Sequence, residues 1–137
     1  VKMLRINGSI FFGAVAHLQQ QLQEIEEAEP ERKHLIIMAS GINFIDLAGA
    51  EFLAETARHR RKIGGSLSFY RMKGNLIETL KRGHFMEDVG EENLIPVQAR
   101  PSEVIYPKLD NEVCRKCLIR AFPSCQQALP NGEMRRE

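Results

Sequence analysis

Asp46-Leu47-Ala48-Gly49 is the segment of this 137-residue sequence that comes nearest to a binding site. It follows an apolar run and opens a helical pattern, so it reads as a helix N-terminus. Free N–H groups there carry about half a positive charge and attract anions. Ala48 and Gly49 are small enough to let a phosphate, or a partner's backbone, approach closely. The same residues have a plainer reading, in which Asp46 only caps the helix and its carboxylate occupies those donors. Asp46 would also repel an anion unless displaced, which ranks partner contact above anion binding.

The remaining chemistry is sparse. Arg58-His59-Arg60-Arg61-Lys62 is a basic run that complements the C-terminal dipole of the same helix. At 100° per residue it spreads around the helix, as a solvated face or as a contact for anionic lipid or an acidic partner. Phe85-Met86 is apolar where a loop should be polar, either as a capping contact or as a spot for a helical partner. Cys114-x2-Cys117 with Cys125 is a thin case for zinc, which normally takes four ligands, and no His lies beyond His84. An inert segment or a regulatory thiol fits better, and an odd cysteine count is no disulfide scaffold. His17, His34, His59 and His84 are scattered, and no phosphate loop, paired carboxylates or serine elbow appears. The expectation is a protein without catalytic residues, metal or cofactor.

These residues need elements to position them. Val1 to Ile6 alternate as a strand, Asn7-Gly8 is a turn signal, and Ile10-Phe11-Phe12 follows, which together predict a hairpin. From Ala14 the period changes, and Val15, Leu18, Leu22 and Ile25 mark one face of a helix that Pro30 ends. Leu35 to Met38 is a continuous apolar run suited to a central strand. A helix from Leu47 to about Ile63 follows, with Leu47, Ala50, Leu53 (or Phe52) and Ala57 inward and Gly64-Gly65 as its stop. Leu67, Phe69 and Tyr70 make the next strand. Asn75 with Glu78 reads as a capping box for a helix closed by Gly83. Leu94, Ile95 and Val97 form a brief strand, and Pro101 opens a last helix. Beyond Asp110 periodicity fades into a loosely held tail. The alternation is an α/β layered pattern.

Composition agrees. Hydrophobic residues make up 43%, enough for one core. Lys plus Arg number 19 against 18 Asp plus Glu, a balance that argues against a nucleic-acid binder. No apolar run approaches the roughly 20 residues of a membrane span, and no signal peptide is evident. Strand-like alternation from the first residue reads as a piece of a longer polypeptide, or as a chain whose initiator Met before Val1 has been removed.

Ser40-Gly41-Ile42-Asn43-Phe44-Ile45-Asp46-Leu47-Ala48-Gly49-Ala50-Glu51-Phe52-Leu53 resembles the central signature of STAS domains, found in anti-sigma-factor antagonists and at the C-terminus of SulP/SLC26-type anion transporters. Gly64-Gly65-Ser66-Leu67, Leu80-Lys81-Arg82-Gly83-His84-Phe85, Val89-Gly90 and Glu92-Asn93-Leu94-Ile95 follow in the family's order. Ile6-Asn7-Gly8-Ser9-Ile10-Phe11-Phe12-Gly13-Ala14 resembles the opening of the transporter branch. Antagonists carry a phosphorylatable serine where this sequence has Ala48, which has no hydroxyl to phosphorylate.

The resemblance implies a small, mostly parallel sheet with an N-terminal hairpin and helices mainly on one face. It implies a STAS domain over residues 1–109 and a Cys-containing tail over 110–137. It further implies a non-catalytic regulatory domain of a sulfate-like anion transporter, at the cytoplasmic face of the bacterial inner membrane and attached to the transport domain of the same polypeptide. A free-standing antagonist-like protein is the alternative. Asn43, Asp46, Leu47, Ala48 and Gly49 are the expected ligand or partner surface, for a guanine or adenine nucleotide or acyl carrier protein. Arg58, Arg61, Lys62, Lys81 and Arg82 are the expected contacts for an acidic partner or lipid.

Overall fold

The computed structural model describes residues 1–117, 119–120 and 123–134, so the closing residues 135–137 of the expected tail lie outside it. The chain divides into two compact units, Val1–Pro96 and Val97–Glu137.

In the first unit the strands β1 (Lys2–Arg5), β3 (His34–Met38), β5 (Ser66–Tyr70) and β6 (Leu94–Ile95) form a parallel sheet in the order β1-β3-β5-β6. Two further strands, β2 (Gly8–Ile10) and β4 (Ile42–Ile45), pair with each other in parallel as a separate ribbon. Helices α1 (Phe12–Ala28), α2 (Leu47–Lys62), α3 (Gly74–Arg82) and the short α4 (Met86–Val89) complete the unit. Leu35, Ile37, Leu67 and Phe69 point to one face of the sheet. There they share a core with Leu22 of α1, Ala50, Leu53 and Ala57 of α2, and Leu76 and Leu80 of α3. The α/β fold, its parallel sheet and the helices on that face are as the sequence implied.

The N-terminal hairpin is not formed. A two-residue hairpin of the Asn-Gly type needs φ > 0 at both central residues. Here only Gly8, at +101°, takes that conformation. The chain steps instead from the edge of one sheet into the ribbon, with the Gly8 N–H donating to the Gly41 carbonyl at 2.8 Å. The strand β4 has no counterpart in the sequence pattern, because its burial runs buried, exposed, exposed, buried rather than alternating. Phe11 and Phe12, read above as the end of a strand, are the cap and first residue of α1.

Of two helix ends, that of α2 is as expected and that of α3 is not. After α2, the Gly65 N–H reaches the Arg60 carbonyl (2.7 Å) and the Gly64 N–H the Arg61 carbonyl (3.1 Å), with Gly64 at φ +86°. That is the glycine stop foreseen. The end of α3 makes the same pair of bonds, from Phe85 to Leu80 and from His84 to Lys81, but the left-handed residue is His84 at φ +61°. Gly83 serves a different purpose. A Cβ there would lie 2.6 Å from the Phe85 ring and 3.2 Å from the Leu47 side chain. Phe85 and Met86 pack against the core, so the capping-contact reading of that pair holds.

The second unit carries α5 (Pro101–Ile105), α6 (Asn111–Lys116), short 3-10 turns at Tyr106–Lys108 and Pro123–Gln126, and an isolated bridge between Ala128 and Met134. It is more ordered than fading periodicity promised. Buried Cys114 and Cys125 form a small cluster with Tyr106, whose hydroxyl donates to the Ala128 carbonyl. Among the described residues, no three His, Cys, Asp or Glu side chains are placed to hold a metal ion.

Candidate functional site

Parallel strands end on the same side, so helices that follow them begin side by side. β2 and β4 pair at Ile10 and Ile45, and the Asp46 N–H donates to the Ile10 carbonyl at 3.2 Å. One residue later each chain turns into its helix. Asp46 is the N-cap of α2, its Oδ1 accepting from the Gly49 N–H at 2.8 Å. Its Oδ2 accepts from the Phe12 N–H, the first residue of α1, at 3.0 Å. Helix α1 has no cap of its own, because Phe11 in the cap position offers no acceptor. A single carboxylate thus holds two helix N-termini 34 residues apart in sequence.

The donors lower the Asp46 pKa below the usual carboxylate value, with the Gly49 N–H the largest cause; burial opposes the shift and the Phe12 N–H adds to it. The cap reading of Asp46 is therefore the structural one. An anion at this point would have to displace a carboxylate already satisfied by two amides.

Gly49 explains how the pieces come so close. A Cβ on it would sit 2.3 Å from the Ile10 carbonyl oxygen. Backbone meets backbone here, so no side chain can be accommodated without moving α2 away from β2. Asn43, on β4, is likewise engaged. Its Oδ1 accepts from Lys73 Nζ at 2.9 Å and its main-chain carbonyl from Asn75 Nδ2 at 3.0 Å. Asn75 therefore does not cap α3, whose N-cap is Lys73. It pins the helix to β4 instead.

The corner so built is apolar outside. Leu47, expected inward, is 59% exposed, beside Phe12 at 81%, Phe44 at 52% and Phe11 at 49%. The sequence reading missed these phenylalanines by assigning Phe11 and Phe12 to a strand. The one local hint was the lack of a capping side chain at position 11, whose orphan donors then fall to water or to a cap from elsewhere.

Of the expected basic contacts, two are paired with acids and three are exposed. Arg58 pairs with Asp88 at 2.8 Å, Lys81 lies 3.7 Å from Glu91, and Arg61, Lys62 and Arg82 are exposed. His59 meets both Glu26 carboxylate oxygens, at 2.8 and 2.9 Å. Arg60, in the middle of the run, is buried, and its Nη1 donates to the carbonyls of Arg32 (3.0 Å) and Lys33 (3.3 Å). Burial lowers its pKa, and Glu26 partly offsets this. A cleft of about 770 Å³ lies between α1 and α2, lined by Leu22, Glu26, Phe52, Glu55, His59 and Arg60 among others.

A sequence model of the STAS domain matches residues 1–102. The chain belongs to the STAS domain family. Among solved structures it is similar to a sulfate transporter family protein from Wolinella succinogenes, at 31% identity over 68% of this chain and 74% of that one, with a TM-score of 0.57. It shares the fold of the SulP transporter STAS domain from Vibrio cholerae (23% identity, 71% of this chain, 73% of that one, TM-score 0.54). It also shares the fold of a segment of SLC26A9 (17% identity, 69% of this chain, 18% of that one, TM-score 0.58). No curated protein matches. Among the described residues of this STAS domain, no helix is long and apolar enough to cross a membrane.

Proposed function

We propose that this STAS domain is the non-catalytic regulatory and interaction module of a SulP-type transporter for a sulfate-like anion, at the cytoplasmic face of a bacterial inner membrane. Its partner is the transport domain of the same polypeptide. The observation that carries the reading is the Asp46 corner, where a rigidly clasped pair of helix N-termini presents Leu47 and its neighbouring phenylalanines to solvent. A surface of that kind suits docking, because its backbone is already ordered and little conformational entropy is lost on contact. Asn43, Leu47 and Ala48 form the contact, and Asp46 and Gly49 position it.

To regulate, the domain must contact two states of the transporter with different free energy, since equal contact shifts nothing. Residues 1–109 form the module and 110–137 an appended Cys-containing segment. Arg58, Arg61, Lys62, Lys81 and Arg82 serve an acidic partner such as acyl carrier protein. The capped donors at Asp46 favour such a protein over a guanine or adenine nucleotide.

Replacing Ala48 with Glu in the full transporter tests this by placing a charge in the middle of the contact. Altered anion uptake at equal expression is expected, and unchanged uptake counts against the coupling surface. Titration with GTP, ATP and holo acyl carrier protein, followed by amide shifts, checks the ligands. Shifts near residues 43–49 or at the basic residues support binding, and none with any of them leaves a purely intramolecular role.

A further inference from the structure

The proposed function leaves the three cysteines unused. All of them belong to the second unit, and they are not equivalent. Cys114, in α6, and Cys125 are each 9% exposed and share a cluster with Tyr106, against which Leu109 packs. Cys117, one residue past the end of α6, is half-buried.

The backbone brings Cys114 and Cys117 within reach of one another. The Cys117 N–H donates to the Cys114 carbonyl at 3.3 Å. A bond of that kind closes a turn whose end Cα atoms lie within about 7 Å, and a disulfide spans roughly 4.4–6.8 Å between Cα atoms. Residues three apart at a helix end are also neighbours on its surface. Exposure then divides the roles. A soluble oxidant meets the half-buried Cys117 first, and Cys114 stands behind it as the inner thiol. Cys114 and Cys125 are both buried, so a bond between those two would have to begin with oxidation inside the cluster.

We infer that Cys114 and Cys117 are a reversible thiol–disulfide site, oxidised by hydroperoxides and reduced by dithiols. The Cys117 sulfur takes the terminal oxygen of the hydroperoxide as the O–O bond breaks, which gives a sulfenic acid and an alcohol, or water where the oxidant is hydrogen peroxide. The Cys114 sulfur then attacks the Cys117 sulfur. The S–O bond breaks, and the hydroxyl leaves with the Cys114 proton as water. The two thiols lose two electrons and two protons, and the hydroperoxide takes up both. An external dithiol restores the pair in two exchange steps and leaves as its own disulfide.

Trypsin cleaves after Arg115 and Lys116, so the three cysteines fall in separate peptides, 109–115, 117–120 and 121–135. The reduced 137-residue chain is treated with equimolar hydrogen peroxide, its remaining thiols are blocked with iodoacetamide, and the digest is read by mass spectrometry. Expected are a fall from three blocked thiols to one, a disulfide joining 109–115 to 117–120, and recovery of all three thiols after dithiothreitol. Cys125→Ser should leave that bond in place. Cys114→Ala, or Cys114→Ser if the alanine variant loses its circular dichroism, should leave Cys117 as a sulfenic acid that dimedone traps. Three free thiols after peroxide overturn the inference. So does a disulfide joining 109–115 to 121–135, which would put the chemistry inside the buried cluster. Oxidation of Cys117 in the parent chain with no bond to Cys114 overturns it as well.

Discussion

Gly49→Ala separates the local physics of a helix from the tertiary physics of this corner, because the two predict opposite signs. In an ordinary helix the change is stabilising, by up to about 1 kcal/mol, since Ala loses less backbone entropy than Gly. Here the new Cβ would stand 2.3 Å from the Ile10 carbonyl oxygen, and relief requires the first turn of α2 to retreat from β2 by about 1 Å. That retreat stretches two bonds already at 3.2 and 3.0 Å, from the Asp46 N–H to Ile10 and from the Phe12 N–H to Asp46. Neither then remains a hydrogen bond by distance. Two lost bonds at roughly 1 kcal/mol each, with overpacking strain of about 1–3 kcal/mol, exceed the propensity gain, for a net loss of about 2–4 kcal/mol. For a domain of this size that is a fall in Tm of about 10 °C. Urea and thermal unfolding followed by circular dichroism measure it. Gly74→Ala is the control, because its Cβ would meet nothing within 4 Å and the ordinary gain should appear. A Gly49→Ala protein as stable as the parent, or more so, would refute the close approach of α2 to β2 and with it the double cap.

Asp46→Ser retains an N-cap for α2 but offers one short oxygen in place of two, so amide exchange should quicken at Phe12 and not at Gly49. Because the folded pKa of Asp46 is depressed, its ionised form stabilises the native state above the unfolded value near 3.8. That advantage over Asp46→Ser should be constant at neutral pH and vanish as acid titration passes through the folded pKa. Arg60→Met keeps the buried stem but leaves the Arg32 and Lys33 carbonyls without this donor, which should cost about 1–3 kcal/mol in urea melts; a neutral result would mean that water replaces the guanidinium. The His59–Glu26 pair, half exposed, should show less than about 1 kcal/mol of coupling in a double-mutant cycle.

The Gly64 stop, the Asp46 cap and the apolar face of α1 were legible because each depends on residues within one or two turns of chain. The strand β4 and the exposure of Leu47 were not. Both depend on which partner the chain meets, and a helical periodicity that places Leu47 in line with Ala50 is silent about where the core ends. Asn75 illustrates the same limit. Its cap signature is genuine, yet the Asn43 carbonyl competes for its side chain from 32 residues away.

The sequence by itself determined an α/β layered pattern, a buried central strand and the helix that opens at Asp46, since hydrophobic period and capping chemistry act locally, while its resemblance to the STAS signature implied the family and the mostly parallel sheet. Only the tertiary structure decided that β1 and β2 part company, that one carboxylate serves two helices, and that Phe11, Phe12, Phe44 and Leu47 are left exposed. Those outcomes arise where parallel strands bring distant segments to a common edge, and the energies that select among such meetings belong to pairs of residues that no window along the chain contains together.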